Sequence, residues 1–177
     1  MNRLGHFKTI TKHRHLVFKV ARRIGIFWQG LAHDLSKYSH TEFYNGAKYY
    51  SGDHSPTRDE RIDKGFSEAW LHHKGRNKHH FEYWWDYDIK SKKYVPTKMP
   101  LRYVKEMFAD RVAACKVYKK EKYTNSSPLE YLIFEKAEEY FHPDTYRLIE
   151  SWLTMLSEKG EEETFKYLKS IKNDSDY

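Results

Sequence analysis

The sequence predicts an all-α protein, a single-domain bundle of about seven or eight helices. Apolar residues recur at helical spacing, as in Leu16, Val20 and Ile24, and no segment of any length alternates between apolar and polar residues as a half-buried strand would. Glycine- and proline-containing breaks separate the apolar segments. A chain of 177 residues with 17% aromatic residues can form one substantial core.

The first half of the chain contains four predicted helices. Gly25 marks the end of the first helix and Gly75 the end of the fourth, because glycine is common just after a helix. The polar segment 51–56 carries a glycine and a proline and predicts a loop. The four predicted helices span residues 8–24, 26–37, 41–50 and 57–74.

The second half begins with a segment dense in histidine and aromatic residues, 77–88, for which we expect a turn and a short helix. The lysine-rich segment 89–99 predicts a surface loop, and Pro100 suits the first turn of the helix that follows it. After a loop at 124–127, Pro128 opens the next helix. The predicted helices of this half span 100–120 and 128–140, followed by one from after the break at 142–144 to about 160 and a last one to about 172.

The composition favours an acidic partner and a reducing compartment. The net charge is +7 and the isoelectric point is about 9.2, which favours phosphates, nucleotides, nucleic acid or an anionic surface. A single cysteine, Cys115, excludes an internal disulfide framework. The sequence shows neither a signal-peptide core nor an apolar run long enough for a transmembrane helix. We therefore expect a cytoplasmic protein that does not bind a membrane.

The doublet His33-Asp34 places two potential metal ligands side by side. Lys37 follows three residues after Asp34 and four after His33, so a helix would bring its ammonium group to the same pocket. Taken alone, the doublet is equally well interpreted as a packing pair in which Lys37 neutralises Asp34.

Other potential ligands surround this doublet in the sequence. Asp110 has Met107, Ala114 and Val117 on its own predicted helix face, and a carboxylate among such neighbours requires a partner. A set of imidazoles and carboxylates suits Mn, Fe, Zn, Ni or Co better than calcium. The sequence therefore predicts a centre for one or two divalent transition-metal ions. The histidines available to it are His13, His15, His33, His72, His73, His79 and His80.

The series His15, His33-Asp34, Asp110 resembles the HD superfamily, and the run Gly-Leu-Ala-His-Asp-Leu-Ser-Lys at 30–37 is very similar to its His-Asp signature. The segment 69–84 also resembles an uncharacterised family of short bacterial and phage proteins. The resemblance implies a helical bundle, with a metal-site core at about residues 8–120 and C-terminal helices at about 128–172 of one domain spanning 1–177.

The resemblance also implies a ligand set. His15, His33, Asp34 and Asp110 would bind a first metal ion, and Asp34 would bridge to a second ion. His73 and His80 would complete the second site, with His79 a near-equal alternative to His80. The spacing leaves His13, and even His6, open in place of His15, and the choice between His72 and His73 stays open as well.

The activity that the resemblance implies is metal-dependent phosphohydrolysis, with Asp34 and Lys37 as the catalytic residues. A metal-activated water would attack the phosphorus of a nucleotide or another small phosphate ester. Arg76, Lys78 and Arg111 are candidates to hold the substrate phosphate, although surface positions are the more common interpretation of each.

Two other functions fit the same residues. Some HD relatives use a di-iron pair to activate oxygen, and their signature is close to the run at 30–37. Alternatively, lysines interleaved with aromatic residues at 90–94 and 116–123 can bind nucleic acid, with the metal site serving a structural role. The substrate and the oligomeric state are not specified by the sequence.

Overall fold

The computed structural model describes residues 1–177 and is mostly helical, with eight α-helices and one two-stranded antiparallel hairpin. The predicted all-α bundle is confirmed. The helices are α1 (Arg3–Arg23), α2 (Phe27–Ala32), α3 (His40–Lys48), α4 (Pro56–Lys64), α5 (Glu68–Lys74), α6 (Leu101–Lys119), α7 (Ser127–Glu135) and α8 (Pro143–Ser170), and the strands are β1 (Trp85–Asp88) and β2 (Lys93–Pro96).

The core lies where α6 packs against α1 on one side and α8 on the other. Helix α6 is buried along most of its length, from Leu101 to Val117. It therefore supplies apolar side chains to the core and also carries Asp110 in the middle of the bundle. The largest fully buried apolar side chains of the core include Ile24, Met99, Phe108, Leu132, Trp152 and Phe165.

None of the eight helices is long and apolar enough to span a membrane.

The predicted helix 57–74 is wrong, because the chain forms two helices there. Gly65 adopts φ +79°, a left-handed conformation that ends α4. The hydroxyl of Ser67 then accepts a hydrogen bond from the amide of Trp70 at 3.0 Å and caps α5. Glu60 accepts hydrogen bonds from the Ser67 hydroxyl at 2.6 Å and from the amide of Ala69 at 3.3 Å. These contacts fix the start of the helix that carries His73.

The predicted helix 26–37 is also wrong, because α2 ends at Ala32. His33 is extended, Asp34 adopts a left-handed conformation at φ +53°, and a 3₁₀ turn covers Leu35–Tyr38. Asp tolerates the left-handed region better than most residues, since its short polar side chain bonds locally. The His33-Asp34 doublet therefore lies at a break between two helical segments.

The segment 89–99, predicted to be a surface loop, contains strand β2, which pairs with β1 so that Trp85 lies opposite Pro96 and Asp88 opposite Lys93. Both strands are only four residues long and neither contains a buried residue, so the hairpin lies on the surface. Toward the C-terminus, α7 is shorter than the predicted 128–140. Helix α8 covers the last two predicted helices, and Gly160 kinks it at φ +78°.

Candidate metal centre

Seven potential ligands converge inside the bundle from helices that are distant in sequence. They form two groups, within each of which the ligand atoms lie within 4.8 Å of one another, and Asp34 belongs to both. The first group is His13, His33, Asp34 and Asp110, and the second is Asp34, His73, His79 and His80.

The first group joins α1, the break after α2, and α6. His13 Nε2 lies 2.9 Å from Asp110 Oδ1, and His33 Nε2 lies 3.4 Å from the same oxygen. Oδ2 of Asp34 lies 3.2 Å from His33 Nε2 and 3.7 Å from His13 Nε2. Two imidazole nitrogens and two carboxylates therefore surround one small volume.

The second group lies on the other side of Asp34. Its Oδ1 is 3.3 Å from His73 Nε2 and 3.6 Å from His79 Nε2. His80 Nε2 lies 2.9 Å from His73 Nε2, so three imidazoles meet one carboxylate oxygen. Each oxygen of Asp34 thus faces a different group, which is the arrangement that a bridging carboxylate needs.

Several of these atoms are buried and make no hydrogen bond of good geometry, although Asp34 Oδ2 is paired with the Lys37 ammonium group. They are both carboxylate oxygens of Asp34 and the Nε2 atoms of His13, His33 and His79. An unpaired buried polar atom costs about 1 to 3 kcal/mol, so the four that lack even an ammonium partner would be expensive in one place. Because all five belong to the two groups, bound cations would satisfy them together. The residues present therefore fit one or two metal ions.

Two buried glutamates that the sequence analysis missed hold the outer faces of these histidines. Glu42 on α3 lies 2.7 Å from His73 Nδ1 and 2.7 Å from His72 Nδ1. Glu106 on α6 lies 3.0 Å from His33 Nδ1 and 3.2 Å from the corresponding atom of His79. Such contacts fix the tautomer and the ring orientation of metal-binding histidines. Glu106 precedes Asp110 by one helical turn, a spacing that could have revealed it.

The charges of the centre favour ionised carboxylates and at least one neutral imidazole. Burial alone would raise the pKa of Asp34, but His33, Lys37 and His73 hold it well below its usual value. Burial also opposes ionisation of Glu106, yet hydrogen bonds from His33 and His79 lower its pKa to about 2. For His80, burial followed by the neighbouring His79 and His73 lowers the pKa well below its usual value. Neutral imidazole is the form that binds a metal.

The structure brings most of the predicted ligands together, but not His15. The buried face of α1 carries His6, Ile10, His13 and Val17, at intervals of three and four residues. His15 lies two residues beyond His13, which is about 200° around the helix, and it is exposed. The structure therefore corrects the prediction, with His13 in the position that His15 was expected to take.

Of the remaining predicted residues, some lie at the metal centre and one does not. Lys37 Nζ lies 2.7 Å from Asp34 Oδ2, as the sequence predicted, although a 3₁₀ turn rather than an α-helix places it there. His79 and His80 both belong to the second group, so the structure does not choose between them. His72 lies outside both groups and contacts Glu42.

The three predicted phosphate-binding residues are not part of the cluster. Arg76 is exposed and donates to the backbone carbonyl of His72 at 3.3 Å. Lys78 is exposed and lies 5.7 Å from the ring centre of Tyr83. Arg111 is buried and donates to Glu135 Oε2 at 2.8 Å. Arg111 is thus engaged in an ion pair between α6 and α7 rather than directed to a substrate site.

The fold and the site define an all-α protein with a buried histidine–aspartate cluster that could hold metal ions. By sequence, the chain belongs to a family of unknown function, DUF5662, whose model matches residues 2–155. That range includes every residue of the two groups. No curated protein matches the chain, and neither does any solved structure.

Proposed function

We propose that this protein is a metal-dependent phosphohydrolase of the HD type, acting on a nucleotide or another small phosphate ester. The observation that carries the proposal is the position of Asp34, whose two oxygens face two separate groups of ligands. The order of these residues along the chain, which is His13, His33-Asp34, His73, His80 and Asp110, supports the same interpretation through its resemblance to the HD superfamily.

The residues divide naturally between two divalent ions, for which Mn, Fe, Zn, Ni and Co are the candidates. Asp34 would contact both ions, and the other members of each group would hold one ion each. Bound ions of this kind supply a water of lowered pKa and an electrophile for a phosphoryl oxygen. Beside Asp34, the first ion would be held by His13, His33 and Asp110, and the second by His73, His79 and His80.

Lys37 is the residue best placed to contact the substrate. Its ammonium group reaches the fully buried Asp34 carboxylate, yet 28% of its side chain stays accessible to solvent. The Asp34 charge raises the pKa of Lys37 despite the opposing effect of burial, so the group carries a positive charge at neutral pH. Lys37 would therefore neutralise charge on phosphoryl oxygens at the edge of the metal centre.

A matched pair of variants on α1 tests the proposal. Metal-free protein is loaded separately with each candidate ion, and phosphate release is measured from a panel of nucleotides and sugar phosphates. His13→Ala removes a predicted ligand and should abolish the release, while His15→Ala changes an exposed residue two positions away and should leave it unchanged. Absence of phosphate release from every metal form of the folded protein would refute the proposal.

The two alternatives are outcomes of the same experiment. Substrate-dependent oxygen consumption by the iron-loaded protein, without phosphate release, would identify a di-iron oxygenase. Nucleic-acid binding that persists in His13→Ala and falls steeply with salt would favour the alternative of a nucleic-acid-binding protein. Part of the segment 116–123, which would bind the nucleic acid, is engaged within the chain, since Lys116 pairs with Glu161 and lies 5.1 Å from the ring centre of Tyr123.

A further inference from the structure

Glu106 makes contacts that no other carboxylate of the centre makes. It is 7% exposed and lies on α6, one turn before Asp110. A single oxygen, Oε1, lies 3.0 Å from His33 Nδ1 and 3.2 Å from His79 Nδ1. The other oxygen accepts a hydrogen bond from Gln29 Nε2 at 3.0 Å, which fixes the plane of the carboxylate.

The two histidines that share this oxygen belong to different groups. His33 is in the first group and His79 is in the second. Their rings lie side by side, with centroids 4.4 Å apart and planes inclined by 39°. Glu42 is the useful comparison, because its carboxylate contacts His72 and His73 and so touches a ligand of the second group only.

We propose that Glu106 is a positioning residue that couples the binding of one metal ion to the binding of the other. The inference rests on the two-ion centre of the proposed function. An ion at the first group would hold the His33 ring and strengthen its Nδ1–H as a donor, which would fix Glu106 Oε1. Because the same oxygen orients His79, the second group would then already be arranged for its ion. Thermodynamic linkage makes the effect equal in the reverse order.

The experiment compares two isosteric substitutions at buried glutamates, Glu106→Gln and Glu42→Gln. Metal-free protein is titrated with Co²⁺, and its visible absorption spectrum and calorimetry give two stepwise dissociation constants. Loss of a carboxylate that hydrogen-bonds a metal-binding histidine weakens metal affinity by about 10- to 100-fold. We expect Glu106→Gln to weaken both steps and to reduce the cooperativity between them. We expect Glu42→Gln to weaken one step and to keep the cooperativity, because Asp34 still joins the groups.

Glu106→Gln should fold, because the oxygen of the new amide can still accept hydrogen bonds from the two imidazoles. Its NH₂ group would then face Gln29, whose side-chain amide can turn over to present its oxygen. If it does not fold, Gln29→Met provides the second variant, because it removes the hydrogen bond to Oε2 of Glu106, together with a longer one to the Arg102 carbonyl, and leaves Oε1 in contact with both histidines. A smaller weakening of both steps is then expected. Equal effects of the two glutamate substitutions on a single step would overturn the inference, and so would an unchanged titration of Glu106→Gln.

The two proposals fail in different ways. Wild-type protein that binds one ion and hydrolyses a phosphate ester would overturn the coupling and leave the proposed function intact. Protein that binds two coupled ions and hydrolyses no phosphate ester would uphold the role of Glu106 and refute the hydrolase. Co²⁺ binding is measured without substrate, so neither result depends on the other.

Discussion

Gly30 on α2 packs tightly against Ala21 and Phe18 of α1, and Gly30→Ala should separate these helices. A Cβ atom built at position 30 would lie 2.3 Å from Ala21 Cβ and 3.5 Å from Phe18 Cα. Two carbon atoms in favourable contact lie about 3.5 to 4.0 Å apart. The added methyl group therefore requires α2 to move by more than about 1 Å. Because α2 leads directly to His33 and Asp34, the movement would reach the metal centre.

The expected cost follows from two opposing effects. Overpacking a well-packed core costs about 1 to 3 kcal/mol. Replacing glycine by alanine within a helix recovers up to about 1 kcal/mol. With the middle of the overpacking range and the full recovery, the net loss in the free energy of unfolding should be about 1 kcal/mol, which lowers Tm by about 2 to 4 °C in a chain of this size.

The assay is urea unfolding of Gly30→Ala, Ala21→Gly and the double variant, each with a parallel Co²⁺ titration. Ala21→Gly removes the methyl group that the new Cβ would meet, so the double variant should be more stable than the sum of the single effects predicts. A coupling free energy of at least about 1 kcal/mol is expected for residues in direct contact. Additive effects, or a Gly30→Ala protein more stable than wild type, would refute the packing argument.

Three further predictions concern metal, pH and backbone strain. The two proposed ions, each present at a hundred times its dissociation constant, would stabilise the fold by about 2.7 kcal/mol apiece, so a chelator should lower Tm by about 10 to 20 °C in calorimetry. Burial lowers the pKa of Lys105 to about 8, below its unfolded value near 10.5. Between pH 8 and 10 the free energy of unfolding of the wild type, measured in urea, should therefore rise relative to that of Lys105→Met by up to about 1 kcal/mol per pH unit. Gly160 combines φ +78° with ψ 178°, a region open only to glycine, so Gly160→Ala should cost about 1 to 3 kcal/mol in the same assay.

The sequence was sufficient for the fold class because apolar spacing reports helices directly. It was not sufficient for the helix breaks. Gly65 ends α4 by adopting positive φ, and α2 ends before an extended His33 and a left-handed Asp34, yet each of these residue types can also lie within a helix. The hairpin was missed because its strands are only four residues long: β1 alternates aromatic and acidic residues, but the run is too short to predict a strand, and β2 shows no alternation.

The candidate site could be predicted in kind but not residue by residue. His33, Asp34 and Asp110 were identifiable from their order and their neighbours. Choosing between His13 and His15 required the exact register of α1 against the core, which two histidines two residues apart do not reveal. Glu42 was invisible for another reason, since its role depends on α3 packing against α5.

The break at the doublet is the feature that lets one residue serve both groups. In a regular helix, adjacent side chains diverge by about 100°, and Asp34 would leave the direction that His33 takes. The left-handed backbone at Asp34 instead places its carboxylate between the two groups.

Asp34→Asn keeps a residue that tolerates this backbone and removes the charge, so the protein should fold and lose both ions in the Co²⁺ titration. Asp34→Ala should lose both ions too, and its metal-free form should be less stable than that of Asp34→Asn by about 1 to 2 kcal/mol, the cost of a left-handed alanine. Retention of one tightly bound ion by Asp34→Asn would show that Asp34 belongs to a single group.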